Sequence, residues 1–561
     1  MAFTKVKMSS LGVQNPYIRR GKWSWAIGGS MGIAMFAILV DLRVLDPTYV
    51  DWLFEGDRAT HFFGWYFFRN DPWGMPLGRL LSYGMGIGGS IVFTDSIPLL
   101  AFLFKPFSNL LPEYFQYFGL WILLCMTLQG IYSWLLLEEI VSDRRMVFFG
   151  TLLLMFSPVM IVRLADHLAL SAHWLILAAF LVYLRQPRRE AVAWTGLMLV
   201  ALLVHAYLFF MVAAVWIASL LRRILTKRER YLGLFASASL SLVLIGVTMW
   251  LTGYFSFATV GSFKFGYYRM NLLSPLNGSW FNYDFSWLLP EITVGPGDYE
   301  GFNFLGVGVF LLWFIVGCRA LLHKEIPFAL SRTTVPLVCM SVVLTILALS
   351  NKIAAGSVEL LEVPLPKILN YGLGIFQSSG RMFWPVWYLL IVTVLALVAR
   401  MFSPSRAVTI VAVASMLQLS DMSPALVSLA ETHRLSAGWH SPLKDCFWES
   451  AGRRFRQIWY VSREIRPADY LPLAHLAASH RMAVNFGHFA RYDYFKLKDD
   501  REKLLSLVEN GSFDHTALYI FDDPVLWRRA QVKMAAEDVA FIVDGVMVIA
   551  PGWRGNIAHE R

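Results

Sequence analysis

Residues 117–137 read YFGLWILLCMTLQGIYSWLLL, an unbroken apolar run without one Asp, Glu, Lys or Arg. A bilayer core of roughly 30 Å needs about 20 such residues as a helix. Comparable runs recur near 24–43, 146–163, 169–184, 190–204, 207–221, 231–252, 304–321, 333–350, 384–400 and 406–424. The expectation is an α-helical polytopic membrane protein with about eleven transmembrane helices. The pair at 190–221 could form one long helix, but His205 and Tyr207 at its centre suggest a tight turn. The run 92–107 is interrupted by Asp95, Pro98, Lys105 and Pro106 and reads as a re-entrant or surface-lying hairpin, with a further span as the competing reading.

Composition agrees. Of 561 residues, 57% are hydrophobic and 16% charged, against about 25% charged in ordinary soluble domains. The net charge of +10 sits in short basic clusters between apolar runs, and no basic helix or RNA-binding motif accompanies it, so a nucleic-acid partner is not expected. Asp143-Arg144-Arg145, 185–189, 222–230, 319–332 and 400–406 are short and basic. By the positive-inside rule they face the cytoplasm, as does the N-terminus. The alternate loops then face outward: the long loop 44–116 with amphipathic stretches along the membrane face, a short loop at 163–167, and 253–303 and 352–383. Cys125, Cys318, Cys339 and Cys446 are too scattered for a disulfide framework or a zinc site.

Beyond about residue 425 charge becomes frequent. Short β-like runs at 457–461, 518–521 and 546–549 alternate with helical stretches at 501–509 and 524–536. The chain therefore divides into a transmembrane domain, 1–425, and a soluble extracytoplasmic α/β domain, 426–561. That domain has no Gly-rich nucleotide loop.

Polar residues with chemical potential fall on the outward side. Asp57 and His61 are four apart and share a face if helical, although Asp57 could equally be a helix N-cap. Arg58, Arg69, Asp71, Trp73 and Arg79 lie in the same segment, where a carboxylate can serve as general base and arginines can neutralise phosphate. The short loop supplies Arg163, Asp166, His167 and His173: Arg163, Asp166 and His173 could share one helical face or make a helix-end salt bridge, and Asp166 with His167 and His173 could hold a divalent cation. His205, Tyr207, Glu300 and Arg381 complete the candidates, each a structural anchor or a cavity-lining group.

The strings Gly56-Asp57-Arg58-Ala59-Thr60-His61, Phe67-Phe68-Arg69-Asn70-Asp71-Pro72-Trp73 and His167-Leu168-Ala169-Leu170-Ser171-Ala172-His173-Trp174 resemble loop signatures of bacterial members of the GT-C superfamily of polyprenyl-phosphate-sugar-dependent glycosyltransferases. Tyr299-Glu300-Gly301-Phe302-Asn303-Phe304-Leu305-Gly306 and Ser379-Gly380-Arg381-Met382-Phe383-Trp384 are similar to strings in an uncharacterised bacterial membrane family grouped with these enzymes. The resemblance covers roughly 1–425. It implies a bacterial inner-membrane enzyme that moves a sugar, with inversion, from a polyprenyl-phosphate donor in the lipid bilayer to an extracytoplasmic glycan, lipid or protein acceptor. It implies Asp57 as the base, and Arg58, Arg69 or Arg381 as ligands of the carrier phosphate. Many members carry paired acids in the first loop; here Gly56 precedes Asp57, and Asp71 is the nearest rival. A transporter or flippase, or a non-catalytic assembly subunit for cell-surface polysaccharide, is the alternative.

Overall fold

The computed structural model describes residues 21, 23–87, 89–227, 230–256, 265–323, 330–434, 438–462 and 470–554. It is mostly helical and forms two compact units. One comprises Met1–Leu45, Phe118–Ile245 and Gly261–Leu435; the other comprises Asp46–Tyr117, Gly246–Val260 and Ser436–Arg561. The segment expected as a first outer loop thus folds in one unit with the C-terminal region.

Among the described residues, five helices are long and apolar enough to cross a membrane: Phe118–Leu137, Leu168–Arg185, Ala206–Leu225, Tyr231–Thr252 and Ser379–Met401. Two bent pairs raise the count to seven: Arg144–Met155 with Pro158–Ala165, and Pro404–Asp421 with Ser423–Thr432. The expected eleven spans are therefore not supported. Ser24–Leu39, Glu190–Val204, Val307–His323 and Val335–Leu349 are apolar but shorter, and at about 1.5 Å per residue they fall short of a ~30 Å core. Hydropathy records composition but not where the backbone leaves the helix. Val40 is extended after the first of these helices, and Ser350 has φ +62° after the last. His205, at φ −165°, separates Glu190–Val204 from Ala206–Leu225, where its Nδ1 accepts the Tyr207 N–H at 3.1 Å. The turn suggested by the sequence is present, and the histidine is its cap.

In the first unit, Ser24–Leu39 lies directly against Phe118–Leu137. Gly28, Gly32 and Gly130 make this possible. A methyl group at Gly28 would strike the Gly130 carbonyl, and one at Gly32 the Met126 carbonyl. Small residues four apart let apolar helices approach closely where no hydrophobic effect drives them together.

The second unit carries a five-stranded sheet in the order Ala483–Val484, Gln457–Val461, Ala517–Phe521, Val546–Ala550, Val539–Val543. The first three strands are parallel and the last two pair antiparallel. The central strand Ala517–Phe521 is buried along its whole length. Residues 82–85 extend the parallel edge: the Val484 N–H donates to the Ser82 carbonyl and the Met85 N–H to the Val484 carbonyl, both at 2.8 Å. The helix Asp57–Asn70 is buried from Arg58 to Arg69 and packs on Leu471–Ser479. It is a core element of its unit, not a stretch laid along a membrane face.

Gly32→Leu should separate the Ser24–Leu39 and Phe118–Leu137 helices and destabilise the first unit by about 1–3 kcal/mol. A lowered melting temperature of the purified protein in lipid nanodiscs would show it; an unchanged value would mean the close packing contributes little.

Candidate functional site

In the first unit the site is built around Glu300, in the 3-10 turn Asp298–Gly301. Its carboxylate takes a two-pronged contact from Arg381, Nη2 to Oε1 at 2.8 Å and Nε to Oε2 at 2.9 Å. Arg163 Nη1 reaches Oε2 at 3.1 Å, and His167 Nε2 lies 3.5 Å from Oε1. Glu300, Arg163 and Arg381 are all buried. Burial pushes the Glu300 carboxyl upward, but Arg381, then Arg163 and the His167 contact, outweigh it and hold the group well below the usual carboxylate range.

Chain geometry brings these distant residues together. Proline cannot continue a hydrogen-bonded helix, so Ser157-Pro158 bends the pair by 44° and starts the short helix Pro158–Ala165 that carries Arg163. Gly301 and Gly380, the neighbours of Glu300 and Arg381, pass so closely that a methyl at Gly380 would collide with the Gly301 Cα. Asn303 clasps both segments, donating from Nδ2 to the Gly301 carbonyl at 2.9 Å and the Gly380 carbonyl at 3.1 Å. In the sequence Asn303 stands out only as a lone amide between Phe302 and Phe304.

Aromatic rings surround the ions. The Arg163 guanidinium lies 5.3 Å from the Trp384 ring centre and that of Arg381 5.2 Å from Tyr207. His173 packs on Trp384 at 4.3 Å and meets the Tyr388 hydroxyl at 3.1 Å, which also accepts from Gln129 at 3.0 Å. His205 stacks beside Tyr207, whose hydroxyl accepts the Ser378 N–H at 2.7 Å. Arg163, His167, Glu300 and Arg381 are thus directly associated, with His173, His205 and Tyr207 around them. The single helical face expected for Arg163, Asp166 and His173 does not form. The helix ends at Ala165 with Asp166 as its C-cap, and a 3-10 turn, Leu168–Ser171, intervenes before His173.

Two guanidiniums bind one carboxylate directly, and the Asp166 carboxylate adds a further charge interaction with Arg163. Among the described residues, Arg163 Nε and Nη2 have no hydrogen-bond partner. Buried donors of this kind are costly unless an acceptor meets them, and a guanidinium fork suits a phosphate.

In the second unit, Asp57 is the first residue of Asp57–Asn70, with Gly56, at φ +56°, as the N-cap. Asp57 and His61 are one turn apart on the same helix. Arg58 pairs with Glu55 at 2.7 Å and lies over Trp52. Arg69 donates to the carbonyls of Ser108, Pro112 and Glu113 at 2.8–3.1 Å. Asp71 accepts from the Leu81 N–H and the Ser82 hydroxyl, each at 2.6 Å. Arg69 and Asp71 therefore hold loop backbone in place. Trp73 is half exposed and lies 4.6 Å from Lys105 Nζ, which also sits 3.7 Å from the Phe68 ring centre. Burial pulls the Lys105 ammonium down to about 8, with Asp71 opposing.

Glu300→Gln should cost about 3–5 kcal/mol by leaving two buried guanidiniums facing each other, read as a lower melting temperature. Because the folded carboxyl sits below its ordinary value of 4.5, the wild-type advantage should be complete above that pH and shrink as the pH falls from there through the lowered folded value. An advantage that fades between pH 7 and about 5 would contradict the assignment.

A sequence model of a family described as "Domain of unknown function (DUF6311)" matches residues 29–423, and one described as "DUF6311 C-terminal domain" matches residues 447–551. No curated protein matches the chain.

Proposed function

The chain belongs to the DUF6311 family, and from its buried ion cluster we propose that it is an integral membrane glycosyltransferase using a polyprenyl-phosphate sugar as donor. The observation that carries this reading is the pair of buried Arg163 donors, Nε and Nη2, that have no acceptor among the described residues beside the Arg163–Glu300–Arg381 contacts. A lipid-linked donor dissolves in the bilayer, so its phosphate must be met by cations belonging to an apolar, membrane-embedded unit. The basic short loops support a cytoplasmic N-terminus and an extracytoplasmic C-terminal region. The resemblance to GT-C enzymes supplies the reaction type.

In this mechanism a carboxylate removes the proton from an acceptor hydroxyl, whose oxygen attacks the anomeric carbon of the donor sugar. The bond from that carbon to the phosphate oxygen breaks, with inversion. The departing polyprenyl phosphate gains a negative charge, which the guanidiniums stabilise. Glu300 holds the two arginines apart and aligned. The resemblance implies Asp57, a residue of the other compact unit, as the base.

Mass spectrometry of lipid-linked sugars and surface glycans, with and without the protein, tests the reading: the donor should accumulate and one glycan should lose a sugar when the protein is absent. Asp57→Asn should abolish transfer while the protein stays folded. Arg163→Gln should slow transfer by roughly 100-fold or more, the scale of losing one donor to developing charge. Full transfer by the Asp57→Asn variant would remove Asp57 as base.

A further inference from the structure

A cavity of about 410 Å³ opens in the first unit, lined by Tyr267, Arg269, Asp298, Lys352 and Glu359 together with Phe265 and a glycine-rich wall. Its size lies within the roughly 300–1,000 Å³ of small-ligand pockets. Its cations are all paired: Arg269 Nε meets Asp298 at 3.1 Å and Arg269 Nη1 meets Glu359 at 2.8 Å, while Lys352 Nζ meets Glu362 at 2.8 Å. These ion pairs leave no unmatched cation to select an anion. They offer both donors and acceptors to a neutral polar ligand.

A row of aromatic rings leads from this cavity. Tyr267 contacts Tyr268 at 4.8 Å, Tyr268 contacts Tyr299 at 5.8 Å, and Tyr299 contacts Phe281 at 4.8 Å between ring centres. Tyr267 and Phe281 are 47% and 63% exposed, so the two ends of the row are open to a ligand. Phe281 sits in the hairpin turn between Ser279–Trp280 and Tyr283–Asp284 with φ +48°. That backbone region favours glycine, and a bulky aromatic there is strained.

We propose that this cavity and aromatic row bind a neutral saccharide chain. Pyranose rings present C–H patches to aromatic faces and hydroxyls at their rims, the chemistry that the row and the balanced ion pairs respectively match. The Asp298–Gly301 turn contributes Asp298 to the cavity and Glu300 to the ion cluster, so one element serves both. The bound chain is then the sugar acceptor; this role, unlike the binding itself, rests on the transferase reading.

The test is saturation-transfer NMR on the full chain in lipid nanodiscs, since sugar-headed detergents would compete, with short neutral oligosaccharides of glucose and of N-acetylglucosamine as probes and no donor present. Transfer to ring C–H protons is expected for at least one series. Tyr267→Ala and Phe281→Gly should each weaken that binding roughly tenfold, while the Phe281→Gly protein melts no lower than wild type. No transfer from either series to the wild type, or binding unchanged in both variants, overturns the proposal; so does a lower melting temperature for Phe281→Gly with binding intact, which would make the ring structural. Saccharide binding together with unaltered lipid-linked sugars in cells lacking the protein would retain the site and reject the transferase.

Discussion

Setting Glu300 between Arg163 and Arg381 takes three charges out of water, and desolvating each ion costs several kcal/mol. Such an arrangement persists only where geometry is tightly held and the remaining hydrogen-bonding capacity is met. Arg381 meets the carboxylate with two N–H groups, and Arg163 adds a third contact from a residue 137 positions away. The surrounding structure reads as support for these contacts: a proline-bent helix that delivers Arg163, two glycines whose backbones touch, and an asparagine that grips both strands of chain. Aromatic faces over the guanidiniums replace part of the lost hydration. Among the described residues, Arg163 Nε and Nη2 still lack an acceptor, as do His173 Nε2 and Trp384 Nε1 nearby.

How much of this was legible in the sequence depended on whether the signal was local. Apolar runs and basic connectors are local, and so were the C-terminal strands: 457–461, 518–521 and 546–549 all coincide with strands of the sheet. Strands of two residues, such as Ala483–Val484, leave too little alternation to read. Glu300, Arg381, Arg163 and His167 stood out because ionisable groups beside apolar runs are expensive and so informative. Their mutual pairing was not legible, because it depends on a backbone contact between Gly301 and Gly380 that no short window contains. The span count failed for the opposite reason. A composition window cannot see that Val40 or Ser350 leaves helical geometry.

The same distinction separates residues that look functional from residues that are engaged elsewhere. Arg69 and Asp71 fall within a segment crowded with reactive types, yet backbone carbonyls and amides occupy them. Arg58 reaches Glu55 through Nη2 alone, and its Nε and Nη1 have no hydrogen-bond partner among the described residues. Asp57, at the first turn of its helix and flanked by a glycine with positive φ, is placed where a carboxylate is favoured by the helix dipole, so its position has a structural rationale beside the one drawn from resemblance.

The strand at 82–85 has a consequence for how the molecule is made. The hydroxyl of Tyr83 accepts the backbone N–H of His488, a residue 405 positions later, and the neighbouring backbone completes the parallel edge of the C-terminal sheet. During synthesis the ribosome delivers residues 82–85 first, and the sheet they complete emerges only after the apolar helices between them. Until then their N–H and C=O groups must be hydrated or held by another protein. A C-terminal fragment made by itself would have the converse defect, an unguarded parallel edge free to pair with copies of itself. The unit is discontinuous in sequence, and its maturation is therefore a late event in the life of the chain.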